Sequence, residues 1–292
     1  MIDYRPLEVF ETPAQRARAE RYLNRQQKFY VPFTLKQVAA WLGTLLVFAG
    51  FVYFALRVSA TLGQVLLYLG GFGSVGYFLW RASQRHKVTQ AWAAANGWSC
   101  GQPVPDFMIA SITPALAKVS RGGAKISGAY GQTAFWFYAY AYEYVDPSSR
   151  LSSSNDGPDV RRETFQTVTY RFPVNLPVFL LDATTDGRQK QLDIFGAPLQ
   201  RLELEGDFNK YFTLYQRPGD QIDVLSFITP EFMALLADEA PFLNFQTDGQ
   251  YLHVFSNRSH GIDYSMTKNL FDKSRLLVDA IERKLNLNRP AQ

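Results

Sequence analysis

Leu62–Trp80, LGQVLLYLGGFGSVGYFLW, is a run of 19 residues without a charged side chain, closed by Arg81. A companion run, Val38–Leu56, VAAWLGTLLVFAGFVYFAL, is equally long and equally uncharged, and lies between Lys36 and Arg57. Coiled as a helix, each would rise about 28 Å, close to the roughly 30 Å hydrocarbon layer of a bilayer. Trp41, Tyr53, Tyr77 and Trp80 fall towards the ends of the runs, where amphipathic rings prefer an interface. The pair therefore predicts a two-helix transmembrane hairpin.

Orientation follows from the basic side chains. Arg16, Arg18, Arg21, Arg25, Lys28 and Lys36 precede the first run, and Arg81, Arg85 and Lys87 follow the second. The short connection between the runs holds Arg57 alone. The positive-inside rule then places both termini in the cytoplasm, in a multi-pass protein of the cytoplasmic membrane with the bilayer as its integral partner. Thr12-Pro13 reads as an N-cap followed by proline at the first helical position, opening a basic helix to about Phe29. The six leading basic residues are candidates for contact with an anionic membrane surface, or they serve as topology signals and nothing more.

The remainder agrees with an anchored protein. Of 292 residues, 30 are Lys or Arg and 26 are Asp or Glu, a formal charge of +4. Residues 1–105 are net +7 and residues 106–292 net −3. The aromatic content, 15%, excludes an intrinsically disordered chain, and the lone Cys100 excludes a disulfide-stapled scaffold. Nucleic-acid binding is disfavoured because the basic excess is explained by topology.

Beyond Trp80 the helix is expected to continue to a C-terminal signal at Asn96-Gly97. Residues 98–292 then read as one α+β domain, mainly an antiparallel sheet with flanking helices. Its expected parts include a helix over Asp106–Lys118, a hairpin of Ala124–Tyr130 with Thr133–Val145, and a Ser-rich loop over Asp146–Arg162. Strands follow at Thr164–Phe172, Val178–Leu181, Arg201–Glu205 and Tyr211–Tyr215. Thr229-Pro230 caps a helix to about Ala240, and Phe242–Gln246 pairs with Tyr251–Ser256 in a second hairpin. Met266, Leu270, Phe271, Leu277, Val278, Ile281 and Leu285 keep helical spacing on a final helix. The chain thus divides into a basic cytosolic segment (1–36), the hairpin (37–81, spans 38–56 and 62–80), a helical connector (82–97) and the cytosolic domain (98–292).

Motifs that suggest chemistry fail on context. Gly71-Phe72-Gly73-Ser74-Val75-Gly76 spells G-x-G-x-x-G, but no acidic residue follows for about 30 positions to hold a ribose hydroxyl. Glycines there serve close helix packing instead. Ser259, His260 and Asp263 carry the residue types of a hydrolase triad without the nucleophile elbow of that fold. His86, His253 and His260 have no zinc-site spacing, and Glu203, Glu205 and Asp207 read as a solvated strand face. No catalytic residue, metal ligand or cofactor-binding residue is assigned, and no cofactor is expected.

The most concentrated feature is Trp136, Tyr138, Tyr140, Tyr142 and Tyr144, placed by period two on one face of a strand. Exposed, they would form an aromatic platform for a partner; covered, they would be cross-strand pairs in a sheet core. The second arrangement is the more common.

NGW at 96–98, NLPVFLLDA at 175–183, LELEGDFNKYFTLY at 202–215, VLSFITPEFMALL at 224–236 and QTDGQYLHVFS at 246–256 carry a resemblance. With them the chain resembles a family of uncharacterised bacterial membrane proteins with a transmembrane hairpin and a cytosolic domain of unknown function. The resemblance implies a bacterial membrane location and the fold just described, and it supplies no activity. The expected function is a membrane-anchored interaction or scaffold module, with another membrane or cytosolic protein as partner and possible self-association through the hairpin. The alternative is a membrane-proximal enzyme.

Overall fold

The computed structural model describes residues 2–8, 13, 17, 49–50, 53, 60–101, 118–131, 133–145, 160–184, 199–204, 206–256 and 264–285. Its helices are α1 (Arg5–Glu8), α2 (Ala60–Ala95), α3 (Gln221–Phe227), α4 (Pro230–Glu239) and α5 (Tyr264–Lys284). The strands are β1 (Ser99–Cys100), β2 (Lys118–Tyr130), β3 (Thr133–Val145), β4 (Val160–Arg171), β5 (Phe179–Ala183), β6 (Gln200–Leu202), β7 (Phe212–Gln216), β8 (Asn244–Asp248) and β9 (Tyr251–Ser256). Among the described residues these strands make a single nine-stranded sheet in the order β1-β2-β3-β4-β9-β8-β5-β7-β6. Every neighbouring pair is antiparallel.

The expected transmembrane hairpin is overturned. Among the described residues no helix is long and apolar enough to cross a membrane. The multi-pass location in the cytoplasmic membrane falls with it. The 62–80 stretch belongs to a longer helix. Five glycines, Gln64 and Ser74 dilute its apolar content. As expected, the helix does not stop at Arg81. It continues as one 36-residue rod through the polar sequence RASQRHKVTQ, about 54 Å in all. Of the first run, Val38–Leu56, the described residues are Ala49, Gly50 and Tyr53, all helical; the rest lies outside the described residues.

The C-terminal half of α2 packs where its apolar spacing dictates. Thr89, Trp92 and Ala93 are buried on one face, and the helix ends at Gly97, whose φ of +69° needs no Cβ. Trp98 N–H donates to the Ala93 carbonyl at 2.8 Å and closes that end. Trp92 then meets Trp98, Phe137 and Phe271 edge-on, with centroids 5.2 to 5.9 Å apart. Trp98 stacks on Phe271 at 5.7 Å and meets Phe135 at 4.9 Å. The core therefore begins ahead of Trp98 and includes Tyr4 and Leu7 near the start of the chain.

One sheet face, with Phe135, Phe137, Val168, Tyr170, Leu252, Val254, Phe245 and Leu181, packs under α2, α4 and α5. α5 buries the apolar stripe its spacing predicts, Met266 through Ile281. Tyr170 Oη lies 2.7 Å from Ser274 Oγ, and Arg275 donates to Tyr130 Oη at 2.8 Å with its guanidinium 4.3 Å over that ring. The β5–β8 pairing is short, and side chains extend it at both ends. Phe179 N–H donates to Thr247 Oγ1 (3.0 Å) and Ala183 N–H to Asn244 Oδ1 (2.9 Å).

Both expected hairpins form, β2–β3 and β8–β9, and Thr229 caps α4 by accepting from Phe232 N–H. The Ser-rich loop is shorter than expected, because β4 already begins at Val160 and takes Val160–Arg162 into the ladder with β3. Residues 146–159, and the helix expected at 106–118 apart from Lys118 in β2, lie outside the described residues.

Candidate functional site

Among the described residues the middle of the second sheet face is buried. Pairing in register puts Tyr138 on β3, Thr167 and Thr169 on β4, His253 on β9 and Gln246 on β8 along this face. All five are buried. Tyr138 Oη lies 3.0 Å from Thr169 Oγ1, and Thr169 Oγ1 lies 2.9 Å from His253 Nδ1. Among the described residues, Tyr138, Thr169 and His253 form a hydrogen-bond chain that crosses three strands. Protons can be placed along it in either direction, so the imidazole tautomer follows whichever way Thr169 donates. Tyr251 stacks beside the imidazole with centroids 6.3 Å apart.

Burial sets the charge state of this chain. Desolvation pushes the His253 pKa down to about 3, so the imidazole is neutral at ordinary pH. The Tyr138 phenol moves up for the same reason, opposed by its bond to Thr169. A histidine beside two hydroxyl groups has the composition of a general-base site. This one is wholly inaccessible, and a general base must reach the proton it removes. What the arrangement does is satisfy the polar groups of Tyr138, Thr169 and His253 where this face is buried.

The aromatic strand divides accordingly. Tyr138 belongs to the buried relay, and Trp136 is half-buried two residues away on the same face. Tyr140, Tyr142 and Tyr144 lie in β3 opposite Phe165, Glu163 and Arg161 of β4, and their side chains lie outside what the structure describes. Arg16, Arg18, Arg21, Arg25, Lys28 and Lys36, the membrane-surface candidates, lie outside the described residues, as do Ser259, His260 and Asp263. Gly71–Gly76 sits inside α2, where backbone N–H groups serve the helix and form no phosphate cradle. Glu203 and Asp207 each have a cation of their own, Arg201 at 3.6 Å and Lys210 at 2.6 Å.

The uncovered surface is elsewhere. From Phe72 to Tyr77 every residue of α2 is exposed, so no side of the helix is covered there. Phe72 is 75% exposed and Leu79 66%, with Tyr68, Val75 and Trp80 also open to solvent. Tyr68, Phe72, Val75 and Leu79 follow four-three-four spacing and so share one stripe. Beside them, a Cβ added at Gly73 or Gly76 would meet nothing within 4 Å, which leaves the backbone open to close approach. Sequence reading found these residues but ascribed their apolar character to lipid. What it missed is Tyr4 and Trp92, whose partners lie far away in the chain.

No known protein family, curated protein or solved structure matches the chain.

Proposed function

We propose that this chain is a binding module that engages another protein through the apolar stripe of α2 between Tyr68 and Trp80. The carrying observation is the exposure of six large apolar side chains between Tyr68 and Trp80, on a part of α2 whose residues 72–77 are exposed all round. Exposed apolar surface of this extent marks an interaction site, because leaving it in water forgoes about 25 cal/mol for each Å². The partner surface that fits is another apolar helix, since rings and open glycines on one rod accept a second rod at short distance. A second copy of this chain satisfies that chemistry, and self-association is the simplest form of the proposal. The enzymatic alternative has less support: the one histidine–hydroxyl constellation among the described residues is sealed in the sheet.

Sedimentation velocity tests the reading on the full chain and on a Phe72→Ser, Leu79→Ser double variant. Association of the full chain, alone or with a captured partner, should be lost in the variant. Its thermal transition should stay near that of the parent, since neither side chain belongs to the core. Equal association of both proteins would refute the assignment of the stripe.

A further inference from the structure

We propose that residues Ile2–Glu8 are a releasable strap that pins the root of α2 to α5 and opens without unfolding the sheet. This inference is independent of what the α2 stripe binds. The strap is held at three points. Tyr4 lays its ring against Trp92 (6.1 Å, stacked) and Tyr264 (6.4 Å, edge-on), and its hydroxyl donates to Asp272 at 2.9 Å. Lys268 places its ammonium 5.3 Å over the same ring and is itself paired with Asp272. Asp3 and Asn96 exchange hydrogen bonds, Asp3 N–H to Asn96 Oδ1 at 2.7 Å and Asn96 Nδ2 to the Asp3 carbonyl at 2.9 Å. Leu7 is buried behind them.

These contacts rest on few anchors. The buried anchors are Tyr4 and Leu7, while the backbone of the whole segment must be ordered to seat them. Asp3 caps the single turn of α1 by accepting from Arg5 N–H at 3.0 Å, and it pairs with the exposed Arg5. That bond is local and survives release. Closure also has a cost at Trp92: its ring is fully buried, and among the described residues no group accepts from its indole N–H. Opening gives that donor to water. The ring keeps its edge contacts with Phe137, Trp98 and Phe271, so the sheet core stays intact. Such a segment opens as a unit of its own, below the free energy of global unfolding.

Native-state hydrogen exchange of the full chain across low denaturant concentrations tests this. Peptides covering residues 2–8 and 92–98 should exchange at least about tenfold faster than those covering 244–256, and depend less on denaturant. Tyr4→Ala should raise exchange at 92–98 further and leave 244–256 unchanged. Tyr4→Phe, which keeps the ring and removes only the bond to Asp272, should show a smaller rise in the same peptides. Identical denaturant dependence in all three regions, or a Tyr4→Phe protein whose exchange rises equally at 92–98 and 244–256, would overturn the strap.

Discussion

Acidification should weaken this protein through His253 by an amount its surroundings fix. The imidazole has an ordinary pKa of 6.5 when unfolded and about 3 in the folded sheet. A depressed folded value means that the unfolded chain takes up a proton that the folded one refuses. The stability from the neutral buried state is therefore complete above pH 6.5 and lost as pH falls towards 3. Between pH 7 and pH 5 the loss is about 2 kcal/mol, from the 1.36 kcal/mol carried by each unit of separation below the unfolded value. Across the full window it approaches about 5 kcal/mol. The assay is urea unfolding at pH 7 and pH 5, followed by tryptophan fluorescence, for the parent and for His253→Asn. The variant loses stability at both pH values, about 1–3 kcal/mol for disturbing the bond to Thr169. Its difference between pH 7 and pH 5 should be smaller than the parent's by the 2 kcal/mol assigned to His253. Every other titratable group is common to both proteins and cancels in that comparison. Equal acid losses in the two proteins, within about 0.5 kcal/mol, would show that His253 is protonated or solvated in the folded state and refute the reasoning.

Two further outcomes follow from packing. Gly128→Ala would set a Cβ 2.4 Å from Trp98 Cδ1 and 2.8 Å from Cγ, so the indole must shift; a loss of about 1–3 kcal/mol in chemical denaturation is expected, and an unchanged midpoint would show that the β2–Trp98 contact is loose. Leu277→Asp buries an unpaired carboxylate on the covered stripe of α5, so the cooperative transition in circular dichroism should be lost or displaced by more than about 4 kcal/mol, and retention within about 1 kcal/mol would place that stripe outside the core.

The elements were legible where local pattern and burial coincide. Alternation marked β3 and β4, Thr229-Pro230 marked the start of α4, the turn before Tyr251 marked a hairpin, and helical spacing marked α5. The candidate site was half legible. The apolar residues from Tyr68 to Trp80 stand out in the sequence, yet hydrophobicity states that a side chain avoids water and not what covers it. His253 read as an ordinary strand residue, because its partner Thr169 lies 84 positions away and only the β4–β9 register brings the two together.

What the sequence by itself determined is therefore short-range: which segments coil, which extend, where they stop, and which side chains seek burial. These follow from backbone sterics and from periods of 3.6 and 2, which act within a few residues. The tertiary structure alone decided that β4 pairs with β9, and that the helix running on from Leu62–Trp80 is rooted on a sheet through Trp92. It also decided that Tyr4, Trp92 and Phe271 meet in one cluster. Each of those outcomes depends on loop closure between distant residues and on a shared core, and no window of local sequence contains the free energy of either.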